Sequence, residues 1–169
     1  DEVVPRALVG LAELDELRAS EGIGEAPVRP GPATPPVRGP REARGGEIIG
    51  IFPEGTISVS FEIKELKSGA VRLAMGAGVP VIPTVIWGSQ RIWTKKVKRN
   101  LRRKNIPITV AFGAPLYFDK QTDVEAGEKI LRETMIAALH KIQETYPDSH
   151  EGQRWAPVRL GGTAPAPLN

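Results

Sequence analysis

Four short patterns and one long one alternate in the middle of this 169-residue chain. "EIIGIF", from Glu47 to Phe52, is an apolar run bounded by glycines and predicts a buried strand. "IKELKSGAVRLAMGAG" then places Leu66, Ala70, Leu73, Ala74 and Ala77 on one helical stripe, with Gly76 and Gly78 as the stop. "VPVIPTVIWG" is β-branched and uncharged, which predicts a strand covered on both faces. "IPITVAFG", from Ile106 to Gly113, predicts another strand. The long pattern, "TDVEAGEKILRETMIAALHKIQETYP", opens with Thr122 and Glu125 in capping-box spacing. It turns Leu131, Met135, Ala138 and Ile142 inward and ends before Pro147. The order of elements predicts an α/β fold: a mixed, largely parallel sheet with helices packed on it.

The flanks read differently. Residues 1–44 hold a short amphipathic stretch with Leu8, Leu11, Leu14 and Leu17 at a spacing of three. Six of the sixteen prolines follow within residues 27–40. Repeated prolines remove backbone donors and hold a chain extended, so a linker or disrupted segment is expected there. Residues 45–148 form the expected domain, incomplete on its N-terminal side. Residues 149–169, ending "GGTAPAPLN", are expected to be a flexible, disordered tail.

Composition narrows the chemistry. With no cysteine, disulfides, thiolate nucleophiles and cysteine metal sites are excluded. The two histidines, His140 and His150, sit in no metal-ligand cluster, so no metal is expected. His140, on the last helix, is expected as a surface or boundary residue and His150 in solvent. No apolar run reaches the roughly 18–20 residues a membrane span needs. The acidic start, beginning with Asp1, does not resemble a secretory signal and suggests a fragment.

The net charge of +3 is local. "KKVKRNLRRK", Lys95 to Lys104, carries seven positive charges and no negative one, leaving about −4 elsewhere by difference. Trp87 and Trp93 precede it, and cations beside amphipathic rings suit an anionic membrane surface. A solvated loop with no partner is the plain alternative. Nucleic acid is not expected as a partner, because the charge is confined to one loop without a recognised binding module.

Candidate chemistry gathers where "FPEGTIS" leaves the carboxyl end of one predicted strand and "WGSQRIW" that of another, the usual ligand position in open α/β sheets. Gly55 permits close approach to the backbone. Thr56 and Ser58 offer hydroxyls, and Glu54 offers an acceptor or a partner for a cation. Lys64, Lys67, Arg72 and Arg91 are candidates to complete a phosphate pocket through charge-assisted hydrogen bonds. Pro53-Glu54-Gly55 could equally be a plain turn.

"FPEGTIS", "LKSGAVRLA" and "VPVIPTVIWGS" resemble successive blocks of the glycerolipid acyltransferase family, typified by 1-acyl-sn-glycerol-3-phosphate acyltransferase. Phe52 precedes Val79 by 27 positions, close to that family's spacing. The resemblance covers residues 45 to about 146. It implies transfer of an acyl group from acyl-CoA or acyl carrier protein to lysophosphatidate or a related lysophospholipid, with no other cofactor. It implies a peripheral location on the cytoplasmic membrane face.

By the same resemblance Phe52, Pro53, Glu54, Gly55, Thr56 and Ser58 hold the acceptor, with Lys67 near its phosphate. Val79, Pro80, Val81, Ile82 and Pro83 line the pocket. The family's block continues Thr-Arg-Ser, whereas this chain has Thr56-Ile57-Ser58; Lys64 or Arg91 is expected to supply the missing cation. The family's general base, a histidine followed by four residues and an aspartate upstream of Phe52, has no counterpart, since no histidine precedes His140. No catalytic residue is identifiable. A truncated or frame-disrupted member is expected, or a non-catalytic remnant that binds lipid phosphate.

Overall fold

A computed structural model describes residues 43–46, 48–95 and 105–166. In chain order its main elements are α1 (Gly69–Ala77), β1 (Thr84–Trp87), β2 (Thr109–Phe112) and α2 (Val124–Glu144). Single turns of 3-10 helix occur at Ser89–Arg91 and Val158–Leu160.

The sheet corrects the expectation of a largely parallel one. Among the described residues it has two strands, and they run antiparallel, pairing Thr84 with Phe112, Ile86 with Val110 and Trp87 with Thr109. An isolated antiparallel bridge between Val81 and Leu116 extends the ladder. Parallel pairing requires a crossover, usually helical, that returns the chain to the same end. Among the described residues of the β1–β2 connection, the only helical turn is Ser89–Arg91, too short for that purpose.

Residues 48–52, expected as a strand, join no ladder. Ile49 is instead buried with Ala43 and Ala77, and Ile51 packs beside them. Their apolar character therefore reflects side-chain burial without strand pairing.

β1 is one-sided, not covered on both faces. Val85 and Trp87 are buried while Ile86 is exposed. On the same outer face Ile108, Val110 and Phe112 are also exposed, Phe112 at 60%. The inner face rests on α2, whose Leu131, Met135, Leu139 and Ile142 join Val85, Trp87, Val71 and Phe118 in the main core. A two-stranded ribbon is marginal alone, and the helix supplies the apolar surface it needs. Burying side chains of this size contributes about 1.5–3 kcal/mol each.

The cap of α2 also differs from the expected box. Asp123, in extended conformation, accepts the Ala126 N–H and is the N-cap. Thr122 lies one residue early and bonds with Asp119. A carboxylate at the cap satisfies a free N–H and complements the helix dipole, which decides the start in favour of Asp123.

Residues 149–166 correct the expectation of a flexible tail. Ala156 is fully buried, Ala164 nearly so, and Thr163 N–H bonds back to the Gln153 carbonyl. Trp155, Tyr146, His150 and Trp87 form a four-ring cluster with centroids 5.4–6.4 Å apart. Aromatic area is the physical reason this polar-looking segment folds onto the domain. Gly88, at φ +103, makes room for the cluster: a Cβ there would strike the Pro107 carbonyl and come within 2.9 Å of the Tyr146 hydroxyl.

Candidate functional site

The chain leaves residues 48–52 through a tight turn. Pro53 presets its backbone angle, Gly55 sits at φ +68, and Gly55 N–H bonds the Phe52 carbonyl at 3.2 Å. The turn is pinned to the approach to α1 in two places. Lys67 N–H bonds the Pro53 carbonyl at 2.7 Å, and Lys64 N–H bonds Glu54 Oε2 at 3.1 Å. Glu54 therefore has a structural role as well as a place in the site: one of its oxygens clamps the two segments together.

Two cations gather at this turn. The Lys64 ammonium donates to Thr56 Oγ1 at 2.5 Å. The Lys67 side chain lies over Gly55, its Nζ 3.1 Å from where a Cβ would stand. Only a residue without Cβ lets that ammonium lie against the backbone. The turn presents one carboxylate, two ammonium groups and a bare peptide within a few residues.

Beside it opens a cavity of about 540 Å³, within the range of small-molecule sites. Residues 51–58 form one wall, and Phe52, Pro53, Glu54, Gly55, Thr56 and Ser58 all border it. Val79, Val81, Ile82 and Pro83 form another. Leu131, Met135 and Leu139 of α2 face it, together with Phe61, Ile63 and Leu73. The lining is mostly apolar, with Glu54, Thr56, Ser58, Glu62, Ser89 and Gln90 among its polar members. Ser58 Oγ is 2.9 Å from the buried Ser60 Oγ. Phe61 holds an unusual positive φ of 59° at the cavity wall, a conformation that costs an aromatic residue on the order of 1–3 kcal/mol.

Several expected site residues lie elsewhere. Lys64 and Lys67 stand at the turn but do not border the cavity, and Pro80 does not border it although its neighbours do. Arg72 is exposed on α1.

Arg91 is the clear correction. It donates to Tyr146 Oη at 2.8 Å, pairs with Asp148 at 2.5 Å and stacks 4.4 Å over the Trp155 ring. Burial works against its charge, but the bonds to Asp148 and Tyr146 outweigh that and hold its pKa above the usual value. Its guanidinium is committed to docking the C-terminal segment.

Neither histidine borders the cavity. His140, half-buried on α2 and so a boundary residue as expected, places Nε2 3.3 Å from Glu62 Oε2. His150 corrects the expectation of a solvated residue. It stacks in the four-ring cluster, where burial first, then the charges of Arg159 and Arg91, lower its pKa. Among the described residues no group of carboxylates and histidines could hold a metal. No described helix is long and apolar enough to cross a membrane. The cluster Lys95 to Lys104 lies outside the described residues except for Lys95.

The cavity walls from α2 were legible as an inward stripe but not as a site. Phe61 carried no signal, because its backbone angle is set by tertiary contacts.

The Phe-Pro-Glu-Gly-Thr turn and the cavity beside it fall largely within a stretch that known proteins resemble. Residues 38–87 match the family model described as Acyltransferase. The chain is 35% identical over 91 residues to a 1-acyl-sn-glycerol-3-phosphate acyltransferase of Cocos nucifera, covering 53% of this chain and 27% of that protein. It is 36% identical over 80 residues to a probable 1-acyl-sn-glycerol-3-phosphate acyltransferase of Mycoplasma pneumoniae, covering 43% and 29%.

The crystal structure of the 1-acyl-sn-glycerophosphate acyltransferase of Thermotoga maritima superposes with a TM-score of 0.54 at 20% identity, covering 64% of this chain and 44% of that one. That likeness shows the fold alone. The resemblance read from the motifs is thus shown: residues 38–87 match the Acyltransferase model, and the relatives the chain is similar to are named as 1-acyl-sn-glycerol-3-phosphate acyltransferases. The chain spans less than a third of the length of these curated relatives.

Proposed function

We propose that this chain provides the acceptor-binding part of a glycerolipid acyltransferase. Its substrates are lysophosphatidate or a related lysophospholipid and an acyl thioester of coenzyme A or acyl carrier protein. The observation that carries the reading is the Phe52–Thr56 turn on the wall of an apolar cavity, with Lys64 and Lys67 beside the turn. In this reading the acceptor's phosphate meets the ammonium groups and the Gly55 backbone. The apolar walls take the hydrocarbon.

Acyl transfer needs a base for the attacking hydroxyl. Neither His140 nor His150 borders the cavity, so in this reading neither histidine is the proton acceptor. The same fact favours a second reading, in which this chain binds lipid phosphate without turnover.

The two readings separate in one experiment. Lysophosphatidate raises the melting temperature in both, whereas thiol release from acyl-CoA occurs only in the first. Absence of thermal protection removes both.

We further propose peripheral association with the cytoplasmic face of the membrane, carried by the seven cations of Lys95 to Lys104. Clustered cations near anionic headgroups contribute about 1 kcal/mol each. Sedimentation should then be stronger with anionic than with neutral vesicles. Equal binding to both would remove the electrostatic reading.

A further inference from the structure

A second cavity, of about 440 Å³, shares Glu62 and Ile63 with the first and is otherwise lined by Ser60, Arg132, His140 and Arg159 among others. Its remaining walls are apolar and include Ile63 and Ile136. We propose that this cavity is an anion site that takes phosphate esters, separate from the acceptor pocket.

The charges are arranged by three parts of the chain. Arg132 of α2 is held rigid by the backbone: its Nε donates to the Lys64 carbonyl at 2.9 Å and one terminal nitrogen to the Ile63 carbonyl at 3.3 Å. Arg159 of the C-terminal turn bonds Glu62 Oε1 at 3.3 Å and the amide oxygen of Gln143. His140 meets the other Glu62 oxygen. Each guanidinium keeps a terminal nitrogen with no hydrogen-bond partner among the described residues. Glu62 alone opposes two arginines, so the cluster remains net positive even with a neutral imidazole.

Donors from three directions suit the several oxygens of a phosphate better than a carboxylate, whose two oxygens one arginine satisfies. Fixing Arg132 on backbone carbonyls also lowers the ordering cost of binding. The apolar walls favour an ester over the bare ion. Two sources share this chemistry: a lipid headgroup and the phosphates of a nucleotide-linked acyl donor.

Calorimetric titration of the full chain with inorganic phosphate, glycerol 3-phosphate and coenzyme A tests the site and tells the sources apart. At least one probe should bind, and Arg159→Gln and Arg132→Gln should each weaken it about tenfold or more. Lys67→Met, at the Phe52–Thr56 turn, should leave that affinity within about twofold. If Arg132→Gln fails to fold for loss of its carbonyl bonds, Arg159→Gln and His140→Gln decide. No binding by any probe would reduce the cluster to a clamp on the C-terminal segment and overturn the proposal. So would binding that survives the arginine substitutions, or that is lost only in Lys67→Met.

Discussion

The ammonium of Lys67 lies 3.1 Å from the point where a side chain on Gly55 would begin. The glycine thus does two things: it adopts a left-handed angle at the turn and keeps the backbone open to a cation. Gly55→Ala should cost about 1 kcal/mol of stability for the angle and displace the lysine as well. Lys67→Met should leave stability within about 0.5 kcal/mol, because Lys67 is exposed. Both should weaken lysophosphatidate binding severalfold, measured by calorimetry alongside thermal melts. Unchanged affinity in both would remove the phosphate role assigned to this turn.

Arg91 answers a different question. Its side chain is only 9% exposed and joins Asp148, Tyr146 and the Trp155 ring. Arg91→Ala should therefore lose about 2–3 kcal/mol, from charged hydrogen bonds and a cation–π contact, with lysophosphatidate affinity in the remaining folded protein unchanged. Urea unfolding and ligand titration on the same variant separate the two effects. A stable variant that cannot bind ligand would return Arg91 to the site.

His150 makes stability pH-dependent. Its folded pKa lies below the ordinary 6.5, chiefly through burial among Trp87, Tyr146 and Trp155, with Arg159 and Arg91 adding repulsion. Above about pH 6.5 the imidazole is neutral in both states and carries no penalty. Below it the unfolded chain takes up the proton that the folded chain resists, so stability falls with pH. The melting temperature should drop between pH 7.5 and 5, and His150→Phe should flatten that drop. Parallel curves for the two proteins would contradict a buried neutral imidazole.

The start of α2 gives a test free of the site. Asp123 accepts the Ala126 N–H at 2.8 Å, so Asp123→Ala should cost about 1 kcal/mol. Thr122→Ala should leave the helix cap intact and cost less, since its hydroxyl serves only the preceding turn. Denaturant melts of the two variants decide between Asp123 and Thr122 as cap.

Local signals were the ones legible in the sequence. The helical stripes of α1 and α2 were legible in part: Ala70, Ala74, Ala77, Leu131, Met135 and Ile142 are buried, but Leu73 and Ala138 are half-buried and the buried Val71 and Leu139 were missed. The Phe52–Thr56 turn could be placed because proline and glycine at adjacent positions constrain the backbone directly. Strand direction could not be read: the apolar runs around Val85 and Val110 look alike whether paired parallel or antiparallel. The role of Arg91 was hidden for the same reason. Its partners, Tyr146, Asp148 and Trp155, lie 55 or more positions away, and only the packed C-terminal segment brings them together. That segment misled through composition, because its burial rests on a few aromatic rings and small residues in a polar-looking stretch.

Ile57 offers the sharpest test of the proposed function. It borders the main cavity between Thr56 and Ser58, at the position where the resembling family carries arginine. The isoleucine is half-buried, and on the proposed reading phosphate recognition falls to the two lysines at the turn. Ile57→Arg would add a guanidinium able to make paired hydrogen bonds with phosphate, each worth about 1.5–3 kcal/mol. Against this stands the cost of a charge beside an apolar wall, so the free protein should melt lower. Lysophosphatidate should then bind about tenfold tighter and recover more melting temperature than it does for the unaltered chain. The neutral Ile57→Gln should show the lower melting temperature without the tighter binding. If arginine weakens lysophosphatidate binding as glutamine does, the phosphate does not reach this end of the cavity, and the acceptor must be a lipid of different charge.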